Sequence, residues 1–538
     1  MADGARPGPW IVGLLERYGV ERVFGIPGVH TIPLYDGLAD SPIEHVTPRH
    51  EQGAGFMADA WARVSGKPGV CLVITGPGLT NIATAMGQAW GDSVPMLVIS
   101  SVSDRRHLGR GLGQLHELPD QQALATGVAA FSHTLQSLAD LPAVLDRAFG
   151  VFSGSRPRPV HIEIPLDLWR ESAPGTVLPE PAMPAASQPV SAQLEAAARR
   201  LDRAERPMIL AGGGARSARE ALVALAEALD APVVMTVNGR GLLAPAHPLA
   251  VPASPSLAAV RELLAASDAV LAVGTEMGPT DYDMYEQGMP EFPGPLLRVD
   301  IDPANMVRPR AAELPLLGDA DATVQALAAR LAGGRAARGG AARAAAVRSA
   351  ARGALDAPMQ RGIAFLECIR DTLPEAVLVG DSTHPIYAGN LYFAPATPGS
   401  WFNSATGYGT LGYALPASLG AALAAPERPV VCLIGDGGLH YTLGEIGSLR
   451  DQGRPVIVVV WNNAGYGEIR IAMEAEQVVP VGVKIHAPDF EALARAYGCA
   501  FDTPASLAAL PDALRAAAGR DVPTVLRVDE ERMLAASG

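Results

Sequence analysis

Residues 430–438 read VVCLIGDGG and residues 455–463 read PVIVVVWNN. In each, a short unbroken apolar run ends abruptly in polar residues. A strand that is apolar at every position is buried on both faces, as in a parallel sheet covered by helices, and not in a sheet with one wet face. Open parallel sheets bind their ligands at the carboxyl ends of the strands, which is where Asp436 and Asn463 fall.

Working outward, the same grammar covers the chain. AVLVGDST (376–383) is another strand of this last block, and GYALPASLGAALAA (412–425) is a helical segment between strands. The first block has a helix near Trp10, then RVFGIPG (22–28), a helix from Glu51, VCLVITGPG (70–78) and MLVISSV (96–102). The middle block opens with PMILAGGGARSARE (207–220), a strand, a glycine turn and a helix start. It continues through PVVMTVNGRG, AVLAVGTEMG and LLRVDIDP. Residues 171–189, rich in Pro, Ala and Ser, read as a linker, and the Ala, Arg and Gly tract 331–353 reads as a solvated helix or a second linker. The expectation is an α/β chain of three doubly wound parallel-sheet domains, 1–170, 190–330 and 355–538.

A length of 538 residues agrees with about three cores. A formal charge of −14 argues against a nucleic-acid or anionic-membrane surface, which needs clustered Lys and Arg, so a small molecule is the expected partner. Four cysteines without CxxC spacing read as reduced thiols, and there is no apolar stretch of about 18 residues. The expected location is the cytoplasm.

The polar ends carry the chemistry. Gly437 and Gly438 allow close backbone approach and offer N–H groups near a helix start, which suits a diphosphate, while Asp436 and Asn463 supply hard oxygens suited to a magnesium ion. A Gly-Asp-Gly triplet alone is an ordinary turn. Followed after 24 residues by a double Asn, it resembles the thiamine-diphosphate signature of the family that includes acetolactate synthases, pyruvate oxidases and 2-oxo acid decarboxylases. In that family the Asp, the second Asn and a carbonyl two residues later hold the metal, which implies Asp436, Asn463 and Gly465 here.

The resemblance also implies a glutamate that hydrogen-bonds the pyrimidine ring of the cofactor. RHEQGAGFMADAWAR (49–63) matches the family pattern, with Glu51 in that role and Trp61 in place of the usual Tyr. TGPGLTN (75–81), ending in Asn81, resembles the segment against the pyrimidine. GYGTLGYALPA (407–417) is similar to the segment in which Leu411 bends the cofactor and the carbonyl of Gly409 accepts from its amino group. GDSTHP (380–385) implies contacts from Ser382, Thr383 and His384 near the diphosphate. His30 in GIPGVHT and His116 in GQLHELPDQ are candidate proton carriers, since imidazole titrates near neutrality. The family builds its sites between subunits, which implies a homodimer or tetramer.

Departures from the synthases narrow the substrate. GYGEIRIAMEAEQV follows the double Asn in place of the synthase VRQWQ run, and GTEMGPTDYDMYEQG stands in place of its flavin segment, so bound FAD is not expected. The replacements are acidic: Glu276, Asp281, Asp283 and Glu286 in the middle block, and Glu468, Glu474 and Glu476 after the metal loop. Such carboxylates bind a guanidinium in two-point fashion, although acidic runs in a chain of this charge are also ordinary solvated faces. Together with VFGIPGVHT, HELPDQ and NNAGYGEI, they resemble the decarboxylases of 5-guanidino-2-oxopentanoate, with Glu468 the expected substrate-side acid. An acetolactate synthase or related carboligase is the alternative. A non-catalytic paralogue is disfavoured, because Glu51, Asp436 and Asn463 are all present.

Overall fold

The computed structural model describes residues 5–333 and 337–534. Among them, eighteen strands form three six-stranded sheets in which every pairing is parallel. The first sheet holds β1 Arg22–Gly25, β2 Glu44–Val46, β3 Gly69–Val73, β4 Met96–Val102, β5 Phe131–Thr134 and β6 Val160–Pro165, in the order β2-β1-β3-β4-β6-β5. The central sheet holds β7 Pro207–Ala211, β8 Val233–Met235, β9 Ala250–Val251, β10 Ala269–Val273, β11 Leu296–Asp300 and β12 Leu314–Leu317, in the order β12-β11-β10-β7-β8-β9. The last holds β13 Val377–Gly380, β14 Trp401–Asn403, β15 Val430–Gly435, β16 Ile457–Asn462, β17 Ala500–Asp502 and β18 Thr524–Asp529, ordered β14-β13-β15-β16-β18-β17.

The first and last sheets therefore share one strand order, and the central sheet has another. In each, the chain reverses its direction of travel across the sheet between two neighbours: β1 and β3, β7 and β10, β13 and β15. That crevice is where a doubly wound fold binds its ligand. The apolar runs behave as their composition requires: β3, β4 and the first five residues of both β15 and β16 are buried at every position.

The outer sheets share one core. The helix Glu51–Ser65, buried from Gly53 to Arg63, packs against the helix Ala414–Ala424, bringing Phe56 and Met57 into one cluster with Tyr413, Leu415 and Leu419. A Cβ on Gly420 would lie 2.0 Å from the Met57 carbonyl oxygen, so glycine is what lets these helices touch. All three sheets meet at Arg63. Its guanidinium pairs with Asp59 at 2.6 Å and Asp92 at 2.7 Å, donates to Asn238 of the central unit at 3.3 Å, and lies over the Phe402 ring of the last. Asp92 in turn accepts from Thr406 at 2.9 Å.

Two stretches of irregular composition part company. Residues 171–189 carry no helix or strand. The tract 331–353 includes residues 334–336, which lie outside the described part, and ends in a helix, Gly340–Gly353. That helix is not simply solvated: Ala344, Val347 and Ala351, spaced to share one face, are buried in a cluster with Val260 and Leu264 of the central unit. The four cysteines are free thiols, and no helix among the described residues is long and apolar enough to cross a membrane.

Candidate active site

At the ends of β1, β2 and β3 the chain gathers His30, Glu51 and Thr75. Glu51 opens its helix, where the dipole favours a carboxylate, and Asn81 Nδ2 donates to its Oε2 at 2.9 Å. That helix start is itself held by the last domain: the buried carboxylate of Glu445 accepts from the backbone N–H of Arg49 at 3.0 Å and of His50 at 3.1 Å, and Gly53 leaves it room. Gly76, at φ 67°, turns the chain into the helix Pro77–Asp92, and a Cβ there would lie 2.3 Å from the carbonyl oxygen of His116. His116 sits at φ 64°, strained for a residue with a side chain, and its ring stands edge-on to His30 at 5.5 Å. Burial, with the nearby charge of His116, lowers the His30 pKa below its usual value.

Beneath this turn the buried Gln121 accepts from Gly76 N at 2.8 Å and donates to Glu163 at 2.9 Å and to Ser101 O at 2.9 Å. Its amide also donates to Ser100, whose hydroxyl meets His161; the other ring nitrogen of His161 meets Ser132.

At the ends of β13, β15 and β16 the arrangement is of another kind. Asp436 is 1% exposed, and its Oδ1 accepts from Asn463 N at 3.3 Å, whereas its Oδ2 has no partner. Burial raises its pKa, opposed by neighbouring backbone N–H groups. An orphaned buried carboxylate oxygen is a place for a cation. The amide of Asn463 donates to Glu530 at 3.2 Å, which turns its carbonyl oxygen the other way; the Trp461 indole and Asn462 are likewise held by Glu530 and Asp529. Ala464 takes φ 58° and Gly465 pairs with Lys484, shaping a loop that Tyr466 folds across Gly437. Gly437 and Gly438 are buried at the start of the helix Asp436–Thr442, and a Cβ on Gly438 would lie 3.3 Å from the Asp381 carboxyl. Asp381 is buried, which pushes its pKa up to about 6 against the N–H groups that bond it. A backbone that closely packed, beside an open carboxylate oxygen, fits a metal-bound diphosphate.

His384 opens the helix that follows β13, directly after Ser382 and Thr383. Its Nε2 lies 3.3 Å from the Pro358 carbonyl, its Nδ1 faces Glu468 Oε1 at 3.7 Å, and its ring stacks on Trp461. Burial lowers the His384 pKa, but Glu468 and the Pro358 carbonyl outweigh it and the net shift is upward. Glu276 and Asp281 line a cavity of about 620 Å³ between the three units, where Glu276 pairs with Arg156.

Among the described residues no hydrogen bond, ion pair or ring contact joins His30, Glu51, Asn81 or His116 to Asp436, Asn463, His384 or Glu468. Thr410, beside Gly409 and Leu411, bonds Gln88 at 2.8 Å. Gln88 stands seven residues along the helix from Asn81, about 10 Å at 1.5 Å per residue.

A three-sheet chain with an N-terminal carboxylate–amide pair and a C-terminal Asp–Asn loop has the architecture of a thiamine-diphosphate enzyme. Family models agree along its length: the thiamine pyrophosphate enzyme N-terminal TPP binding domain matches residues 7–124, the central domain residues 194–327 and the C-terminal TPP binding domain residues 381–528. The chain belongs to the thiamine pyrophosphate enzyme family. It is 49% identical to the probable 2-ketoarginine decarboxylase AruI of Pseudomonas aeruginosa, over 97% of this chain and 93% of that one. It is 32% identical to an acetolactate synthase of Mycobacterium bovis (91% and 82% covered) and 31% identical to the large subunit of acetolactate synthase isozyme 2 of Escherichia coli (91% and 89%).

Proposed function

We propose that this chain decarboxylates 5-guanidino-2-oxopentanoate (2-ketoarginine) to 4-guanidinobutanal and carbon dioxide, in the breakdown of arginine in the cytoplasm. The observation that carries this reading is the 49% identity, along nearly the whole chain, to the probable 2-ketoarginine decarboxylase, against 32% and 31% for the synthases.

Thiamine diphosphate, when bound, supplies the electron sink that loss of carbon dioxide from a 2-oxo acid requires. The residues of this chain then divide the remaining work. Asp436 Oδ2, the Asn463 side-chain oxygen and the Gly465 carbonyl are the proposed magnesium ligands, and Gly437, Gly438, Ser382 and Thr383 cradle the phosphates. Glu51, oriented by Asn81, would hold the pyrimidine ring of the cofactor, and Leu411 and the Gly409 carbonyl would support it from the other domain. His30, with His116 beside it, moves protons at the reacting carbon and oxygen. Glu468, fixed on one side by His384, is the proposed acid for the guanidinium tail.

The separation of the two clusters within one chain favours an active unit of at least two copies, each lending one cluster to a shared site.

The test is a panel of 2-oxo acids with purified enzyme, magnesium and thiamine diphosphate, following carbon dioxide and acetolactate. The guanidino acid should be turned over fastest. Faster conversion of pyruvate to acetolactate would reject the reading in favour of a carboligase.

A further inference from the structure

A short chain of hydroxyls ends on the His30 ring. His30 Nδ1 lies 3.0 Å from Thr75 Oγ1, and Thr75 Oγ1 donates to Ser101 Oγ at 3.0 Å. Ser101 Oγ also accepts the Thr75 backbone N–H at 3.2 Å. Thr75 and Ser101 are each 1% exposed, which shuts the pair off from solvent.

Counting hydrogens decides the ring. A hydroxyl has one hydrogen and two lone pairs. The Thr75 hydrogen is committed to Ser101, so toward His30 it can only accept, and His30 Nδ1 must carry the hydrogen. In a neutral imidazole the lone pair then lies on Nε2. Gln121 makes the arrangement rigid, because one amide holds both Gly76 N, next to Thr75, and the Ser101 carbonyl.

We propose that Thr75 and Ser101 are positioning residues that hold His30 as its Nδ1–H tautomer, leaving Nε2 to accept the proton released when the product carbonyl forms. This rests on the acid–base role given to His30 above. Carbon dioxide departs, leaving the bonding electron pair on the substrate carbon, which takes up one proton. With the cofactor bound, the neighbouring hydroxyl, whose proton was taken up when the substrate carbonyl carbon was captured, would lose that proton to His30 Nε2 as the C=O double bond forms and the bond from that carbon to the cofactor breaks, its electron pair staying with the cofactor; His30 would then return the proton to water. One proton is consumed per carboxylate turned over. The ring must start neutral, and burial together with His116, the titratable group that acts on it, keeps it so.

The experiment measures kcat, KM and cofactor affinity between pH 5 and 9 for the holoenzyme and four variants: Thr75→Ser, Thr75→Val, Ser101→Ala and His30→Asn. Thr75→Ser keeps the acceptor and should stay within about twofold of the parent, while Thr75→Val should lose roughly 10- to 100-fold in kcat, inside the roughly 10² to 10⁴ that general acid–base catalysis contributes. Its KM and cofactor affinity should be unchanged, and its acidic limb should move to lower pH, since the imidazolium loses a hydrogen-bond acceptor. Ser101→Ala frees the Thr75 hydrogen to turn toward Nδ1 and should lower kcat in the same way; as the smaller change, it carries the test if Thr75→Val does not fold.

Parental kcat and pH limb in Thr75→Val or Ser101→Ala, or a loss of cofactor affinity matching the loss of kcat, overturn the tautomer assignment. Impaired His30→Asn beside normal Thr75→Val confines the failure to it. Normal turnover in His30→Asn removes the acid–base reading and the assignment together.

Discussion

The first and last sheets repeat one strand order and present their polar loops at equivalent crevices, yet the two crevices are finished differently. Around Thr75 and Gln121 every buried polar side-chain atom of Ser101, Glu163 and His161 has a protein partner. Around Asp436, by contrast, Asp436 Oδ2 and Asn462 Oδ1 are buried without one. Buried polar groups are costly unless bonded. The first crevice is therefore complete as protein and can hold a neutral ring against a fixed wall. The second keeps two unpartnered oxygens, beside the place proposed above for the metal and the diphosphate.

The sharpest break between the two comes from paired variants. Glu51→Gln should lower turnover by roughly 10² to 10⁴, the share of a general acid–base group, with cofactor binding retained. Asp436→Asn should instead raise the magnesium concentration needed for activity by at least about 100-fold, given that even outer-shell partners of a metal are worth about 10–100-fold. Titration calorimetry with cofactor and metal separates the outcomes; equal loss of cofactor binding in both would erase the distinction.

His161 tests the self-sufficiency of the first crevice. Its ring is fully buried between two serines, and burial lowers its pKa to about 3. A base whose folded pKa lies below its unfolded value of about 6.5 contributes stability above that value and loses it as the pH falls toward the folded pKa. Across that window the parent should lose up to roughly 5 kcal/mol more than His161→Gln. Denaturant melts at pH 7 and pH 4 measure it, and parallel pH dependence in both proteins would refute it.

Smallest is the effect of Gly420→Ala, at the contact that welds the two outer units. The added methyl would meet the Met57 carbonyl, so an overpacking cost of about 1–3 kcal/mol is expected. A thermal melt unchanged from the parent would show that the helices can part freely.

Much of this design could be read in the chain itself. The three blocks, the all-apolar strands and the positions of Glu51, Asp436 and Asn463 at strand ends follow from local pattern, because each motif packs its chemistry into a few consecutive residues. What escaped is what acts across distance. Glu445 reaches Arg49 over 396 residues, Gln121 reaches Gly76 over 45, and Glu530 braces Asn463 over 67. Such partners are common residue types in unremarkable surroundings, and only the crossovers that order the sheets bring them together. His384 shows the same division: its motif places it after β13, while the neighbours of its ring, Trp461 and Glu468, come from elsewhere in the chain.

The guanidinium of Arg63 sets how this chain can come apart. It is a buried cation whose ligands are drawn from all three units, so no unit can slide a little and keep its share of the bonds. Its two carboxylate partners, Asp59 and Asp92, belong to its own unit, so the charge stays paired if another unit leaves; what the central and last units give up is one neutral hydrogen bond, to Asn238, and one ring contact, with Phe402. The cation is thus neutralised locally and uses its remaining contacts as a seam between the units.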